Sequence, residues 1–229
     1  MTNLFQTEDI VTLLETRDGN YDAVCSLDFQ IPTLYYDTFA LRDISGQKAE
    51  TMWPYFISSK SRSALKSNNP VPVQSCWNGA VAFKAEPFYA SQPLRFRAVA
   101  DSLARHHLEG SECCFIHADG HRTNRQGVWL NPNVRVGYNL TVYEAVNPAA
   151  REGRVWPPWR EKVRGTWHNR MTRWLGWPRR MAEWYGVKGR VMAWQDERVK
   201  NGTKPNHEAA LHCLINEMQV LVENGWLHV

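Results

Sequence analysis

No apolar run in this chain approaches the ~20 residues needed to cross a bilayer, so no membrane-spanning helix is expected within it. Residues 1–6 carry neither the basic nor the apolar block of a signal peptide. Cysteine is scarce. Cys25, Cys76, Cys113, Cys114 and Cys213 are too few and too irregularly spaced for a disulfide framework, and without a Cys-x-x-Cys pair there is no zinc-binding pattern. Buried thiols on strands are the simplest reading. One bridge, for example Cys25 with Cys76, fits an oxidising compartment, and the odd count leaves at least one thiol free.

What is present is a globular composition. The hydrophobic share is 43%, enough to build a core, and 229 residues suit a single domain. Charge is unevenly placed. Residues 151–190 hold eleven Lys and Arg against three Glu, a net +8, so with +4 for the whole chain the remainder carries −4. Six of the eleven tryptophans (Trp156, Trp159, Trp167, Trp174, Trp177 and Trp184) share that window. Interleaved guanidinium and indole groups suit nucleic acid, a nucleotide-sugar, sugar rings or an acidic membrane surface. No nucleic-acid motif accompanies them, so nucleic acid is not the expected partner. The expected arrangement is an arm, residues 146–190, whose Trp167, Trp174 and Trp184 pack against a sheet core of residues 1–145. The alternative is a basic, Trp-rich surface that binds glycans or polyanions, with those rings exposed. Residues 191–229 then form a C-terminal helical segment of one domain spanning 1–229.

Local signals give an alternating pattern. Thr7, Glu8 and Asp9 read as a helix start, Ile10, Val11, Leu13 and Leu14 as its apolar face, and Asp18-Gly19-Asn20 as its stop. Residues 21–29, 79–83 and 113–117 read as neighbouring inner strands, with a helix at about 99–107 between the last two. Near the end, Leu211, Leu214, Ile215, Met218, Leu221 and Val222 recur at helical spacing before Asn224-Gly225. Strands alternating with helices point to an α/β fold with a parallel or mixed sheet.

Three segments carry more chemistry than the rest: Tyr36-Asp37-Thr38-Phe39-Ala40-Leu41-Arg42-Asp43, Pro72-Val73-Gln74-Ser75-Cys76-Trp77-Asn78-Gly79, and Ser111-Glu112-Cys113-Cys114-Phe115-Ile116-His117-Ala118-Asp119 with its continuation Trp129-Leu130-Asn131-Pro132-Asn133-Val134-Arg135-Val136-Gly137-Tyr138. Several long matches in one order are more specific than one short motif. From about residue 4 to 143, and again at 216–226, the chain resembles the cryptococcal-type α-1,3-mannosyltransferases of fungi, the capsule-associated glycosyltransferases.

The resemblance implies a glycosyltransferase GT-A-like, Rossmann-like sheet flanked by helices, and transfer of mannose from GDP-mannose to a glycan acceptor with retention. It also implies a Golgi-luminal enzyme held by an N-terminal membrane helix. The expectation is accordingly that the chain starts inside the family's catalytic domain, after the anchor and an Asn-Asp strand, leaving catalysis weak or absent. Two sequons, at Asn139 and Asn201, fit a luminal history.

Breaking the bond to a diphosphate develops negative charge that a divalent cation offsets, and oxygen ligands suit Mn²⁺ or Mg²⁺. The chain has no Asp-x-Asp. Asp28, at the end of an apolar strand, is the first candidate metal ligand, with His117 on the far side of the site. Asp119, two residues on and on the same side of an extended chain, joins His117 as a candidate catalytic carboxylate. Glu112 is expected to position the acceptor rather than abstract a proton. Trp77, Asn78 and Gly79 combine a ring that can floor a sugar pocket, a two-way hydrogen-bonding amide and a close backbone approach. Arg42 and Asp43 are candidates for donor phosphate and hydroxyls, or for pairing with each other. If this constellation holds, Asp28, Trp77, Asn78, Glu112 and His117 line one concave surface at the strand ends.

Overall fold

The structure is a computed structural model that describes residues 4–120, 126–148, 156–200 and 206–217. Its elements in chain order are α1 (Thr7–Leu14), β1 (Ala23–Ile31), β2 (Leu34–Tyr35), β3 (Arg42–Asp43), α2 (Ser59–Lys66), β4 (Val71–Ser75), β5 (Val81–Phe83), α3 (Asp101–Ala104), β6 (Leu108–Glu109), α4 (Glu112–Gly120), β7 (Val128–Gly137), α5 (Leu140–Val146), α6 (Trp159–Leu175), α7 (Trp177–Lys200) and β8 (Ile215–Asn216). The fold is α/β, as expected, with a mixed sheet flanked by helices.

β1 is the centre of that sheet. It reads Ala-Val-Cys-Ser-Leu-Asp-Phe-Gln-Ile, and its first seven residues are buried on both faces, as for a strand covered on each side. β7 runs parallel to it, β4 is antiparallel to β7, and β3 continues beyond β4, giving the order β2-β1-β7-β4-β3. β5 pairs antiparallel with the first half of β1, whereas β2 folds back on its last residues. Residues 21–29 and 79–83 are therefore strands as read from sequence, although β5 is partnered only through β1 among the described residues. The register of β1 with β7 jumps from Cys25 opposite Leu130 to Leu27 opposite Arg135, so residues 131–134 bulge out of β7. Pro132 lies in the bulge, where its missing N–H leaves no ladder bond unmade. Buried Asn131 ties the bulge to α1 by donating to Thr12 O at 3.2 Å, and to Thr16 Oγ1, just past the helix, at 2.8 Å.

Strand alternation divides the core. Odd-numbered residues of β1 (Ala23, Cys25, Leu27 and Phe29) join Leu41, Tyr55, Val71 and Leu130 in the main cluster. Even-numbered Val24 meets Leu13, Tyr21 and Val134 in a smaller one. A third cluster brings α3, α4 and α7 together through Leu103, Phe115, Val191 and Trp194. Two disulfides tie these layers: Cys25–Cys76 across 51 residues and Cys114–Cys213 across 99. Restricting loops of that size in the unfolded chain contributes about 4–5 kcal/mol each. Cys113 is the free thiol among the described residues.

Three readings are corrected. Residues 113–117 form no strand; they lie in α4, whose first turn is organised by Ser111, with its carbonyl accepting from Cys114 N and Phe115 N. Five successive residues, Cys114 to Ala118, are buried, and a helix covered all round has no period to distinguish it from a buried strand. The helix expected over 99–107 shrinks to the single turn of α3, because His107 turns left-handed at φ 57° and leads into β6. The C-terminal helix expected from about residue 207 is absent over residues 206–216. There Cys213 is tied to α4 and β8 pairs antiparallel with β6. Residues 218–229 and Asn201 lie outside the described residues. The first helix does begin at Thr7, but its start is organised one residue earlier: the Gln6 amide donates to Asp9 Oδ2 at 2.8 Å.

The basic window is the largest departure. α6 docks on the loop around Trp53 by a narrow inner strip: Gly165 faces the Trp53 backbone and buried Asn169 donates to Met52 O at 2.9 Å. Trp156, just before α6, packs edge-on to Phe29 and donates to Pro32 O at 3.0 Å. Trp167, Trp174 and Trp184, expected to be buried, are exposed at 56%, 71% and 51%. α7 runs through residue 190 without a break and docks instead by Val191 and Trp194. A Cβ at position 165 would stand 2.4 Å from Trp53 O. Gly165→Ala is therefore expected to destabilise the chain by about 1–3 kcal/mol, as for overpacking, and to speed proteolysis within α6. Unchanged urea unfolding and unchanged cleavage would contradict this docking mode.

Candidate functional site

Asp28 sits at the C-terminal end of β1 opposite Val136 of β7, where ligands gather in open α/β sheets. It is 1% exposed. The short hairpin from β1 to β2 returns the chain so that Tyr36 N donates to Asp28 O at 3.2 Å and Asp37 N reaches Asp28 Oδ1 at 3.4 Å. On the other side, the Tyr138 hydroxyl, at the end of β7, is 3.4 Å from Asp28 Oδ2. Tyr36 and Tyr138 meet edge to face at 5.0 Å. Asp37 thus follows within a frame of two phenols, its charge acting on Asp28 while its Oδ1 accepts from Phe39 N at 3.1 Å.

Asn78 closes the floor. It is buried, and its Nδ2 donates to the Asp37 carbonyl. Ser26, on the same face of β1 as Asp28, donates to Asn78 O at 2.7 Å and accepts from Ala80 N at 3.1 Å, pinning the turn. Gly79 is at φ 58°, and a Cβ there would meet Val136 Cγ2 at 2.2 Å and Asp28 Cβ at 3.1 Å. Only glycine fits both the conformation and the space.

Burial, and then the Asp37 charge, push the Asp28 carboxyl up to about 7, outweighing the hydrogen bonds from Asp37 N, Asn78 and Tyr138 that favour its ionised form. Arg42 senses Asp37 as well: burial brings its guanidinium down to about 10 while Asp37 acts in the opposite sense. Cys113, in the first turn of α4, is pushed up to about 11 by burial and then by Glu112, with Asp37 adding to the effect. Glu112 is exposed and accepts from Cys113 Sγ at 3.8 Å. Cys113, in the first turn of α4, therefore stands within electrostatic reach of Asp37.

The other expected site residues have structural partners. Arg42 is buried and donates to the carbonyls of Phe39, Leu41 and His212. Asp43 does not pair with it: its two oxygens accept from Ser45 N and Oγ, Gln47 N and Ser58 N, organising the loop after β3. His117 is buried, with Nε2 2.6 Å from Cys76 O and its ring stacked on Phe83. Phe83 pairs with Ala23 and so lies on the opposite face of β1 from Asp28. Trp77 packs with Phe83 and Phe96 in the same aromatic group. The expected single surface is thus divided by the sheet: Asp28, Asn78 and Gly79 meet, while His117 and Trp77 face the other layer. In a helix, residues two apart point about 200° away from each other, so Asp119 does not share the direction of His117. It takes both Arg97 Nε and Nη2 at 2.6 and 3.1 Å, while Arg97 also clamps Glu208.

Asp37, Tyr36 and Tyr138 were not singled out as site residues. Their signal was present, since each lies in a motif segment, but only the hairpin and the end of β7 bring them to Asp28. A hollow of about 880 Å³ lies at the other end of the sheet, lined by Arg17, Lys60, Gln74, Trp129 and His212 among others. It takes in the start of β7 and none of the carboxylates described above.

Residues 3–119, half of the chain, match the family model described as Cryptococcal mannosyltransferase 1, and the match contains Asp28, Asp37, Asn78, Gly79 and Glu112. The chain belongs to that family, which suggests a mannosyltransferase-like function. No curated protein and no solved structure matches it.

A carboxyl whose folded pKa stands above its unfolded value of about 3.9 is protonated more readily in the folded chain. Its contribution is favourable below that value and is lost as pH rises through about 7. Asp28→Asn should therefore match the parent near pH 4 and exceed it by a few kcal/mol at pH 8, measured by urea unfolding at the two pH values. A variant less stable than its parent at pH 8 would contradict the burial of an ionised Asp28.

Proposed function

We propose that this chain is a glycosyltransferase that moves mannose from GDP-mannose to a glycan acceptor with retention, on a GT-A-like sheet. The observation that carries the reading is the Asp28–Asp37 pair at the end of β1, in a chain of mannosyltransferase family. The donor set fits a hard divalent cation: two carboxylates whose charges interact, one of them raised to about 7 by burial and then by the charge of the other. Asp28 and Asp37 would hold Mn²⁺ or Mg²⁺, which offsets the charge of the departing diphosphate.

The chain's own residues supply the setting. Asn78 holds the Asp37 backbone, and Ser26, on the Asp28 face of β1, holds the Asn78 carbonyl. Gly79 lets the turn close onto Asp28. Glu112, exposed in the first turn of α4, holds an acceptor hydroxyl; with retention the leaving phosphate can take the proton, so no strong base is needed there. Arg42, Asp43, Trp77, His117 and Asp119 support the site through the loops and helices they fasten. Two disulfides support an oxidising, luminal setting such as the Golgi.

The test pairs binding with turnover. Mn²⁺ should raise the melting temperature of the parent at pH 8 and leave that of Asp28→Asn unchanged. Transfer of mannose from GDP-mannose to an oligomannoside should require the cation and fall about 100-fold or more in Asp28→Asn and Asp37→Asn, the scale of losing a metal's charge stabilisation. Glu112→Gln should raise the acceptor KM more than it lowers kcat. Transfer that survives chelation, or that persists in Asp28→Asn, would overturn the assignment.

A further inference from the structure

α6 is turned inside out for a helix of a globular domain. Trp159, Val163, Trp167, Met171 and Trp174 recur at four- and three-residue steps, and with Leu175 they form one stripe. That stripe is exposed, with Trp159 and Trp174 at 70% and 71% and Leu175 at 77%. The buried positions are Gly165 and Asn169, on the other side of the helix. A surface helix is expected to turn its apolar stripe inward. Here the docking of Gly165 on Trp53 fixes the opposite orientation.

Arg160, Arg164 and Arg170 lie within the same arc, all exposed. Arg160 and Arg170 lean over Trp159 and Trp167 at 5.6 and 5.4 Å. Glu161 is the only carboxylate of the helix; it is half-buried at the edge of the stripe and 3.9 Å from Arg164. Past the bend at Gly176, α7 continues with exposed Trp177, Trp184 and Tyr185, and Lys188 lies over Trp184 at 4.7 Å. Glu183 is paired to Arg179 at 2.8 Å.

We propose that the outer stripe of α6 lies on an anionic lipid bilayer, with its tryptophans at the level of the headgroups and its arginines against lipid phosphates and carboxylates. Charge and shape select this occupant. A second copy of the chain, brought face to face, would set arginine against arginine. Nucleobases stack on indoles but leave Val163, Met171 and Leu175 in water. A bilayer interface takes all three kinds of side chain together: aromatic rings with one polar edge, aliphatic groups below them and cations beside the lipid headgroups.

The full chain should sediment with vesicles of phosphatidylcholine mixed with phosphatidylserine far more than with phosphatidylcholine alone. Its tryptophan emission should shift to the blue on binding, and high salt should weaken the association. Trp167→Ser combined with Trp174→Ser should reduce binding about tenfold or more. Replacing Arg160, Arg164 and Arg170 by Gln should reduce it about 100-fold, at about fivefold for each cation near the surface. Both variants should keep the parent's melting temperature, because all five side chains are exposed. Equal binding to the two kinds of vesicle, parent-like binding by both variants, a Trp167-dependent dimer in sedimentation velocity, or tighter binding to RNA than to the mixed vesicles would each overturn the proposal.

Discussion

The parallel pairing of β1 with β7 is the constraint on which the rest of the structure depends. It buries β1 on both faces, and a strand so covered sends successive side chains into two different environments. The odd face is completed by hydrocarbon and by the Cys25–Cys76 bridge. The even face begins equally apolar at Val24 but ends in Ser26 and Asp28, where the hairpin to β2 and the end of β7 leave room for polar side chains. A carboxylate is thereby held in a site that favours its neutral form, beside a second carboxylate from the hairpin. Strain of this kind is what a cation or a sugar hydroxyl can relieve, which is why the functional reading rests on this point of the fold and not on the larger hollow near Arg17.

Around that point, polar residues that look catalytic by type carry the architecture. Arg97 joins Asp119 of α4 to Glu208, and its charge lies 4.6 Å over the Phe115 ring. The hydrogen bonds to Asp119, and those to Glu208, hold its pKa above the ordinary value despite burial. Together with Cys114–Cys213, this clamp fastens the segment before β8 onto α4, whose Cys113 stands within electrostatic reach of Asp37.

The helices after residue 156 follow another logic. α6 uses a glycine and an asparagine to reach the domain, so the attachment is made by close backbone approach and hydrogen bonding with little apolar burial. Its indoles are then left outward beside its arginines. The layer that holds Asp28 and Asp37 and this outer face are built from different parts of the chain, so substitutions on one are expected to leave the other intact.

By itself the sequence determined β1, β5 and the start of the first helix, but not its stop, which comes at Leu14, ahead of the Asp18-Gly19-Asn20 turn read as its end. It also determined the α/β class and the family, because short-range periodicity, caps and collinear motifs are local properties. It pointed to Asp28 as the end of an apolar strand, and to Asn78 and Gly79 through their motif segment. It could not separate a helix from a strand at residues 113–117, since full burial erases the period that distinguishes them. Nor could it say which side of the sheet His117 would face, or that Asp119 would be taken by Arg97. Those outcomes depend on contacts between elements: the hairpin that returns Asp37, the bulge that brings Tyr138 alongside, the disulfide from α4 to residue 213, and the glycine contact that turns the tryptophans of α6 outward. Tertiary structure decided them, because two carboxylates become a site only when the chain brings them into the same buried space.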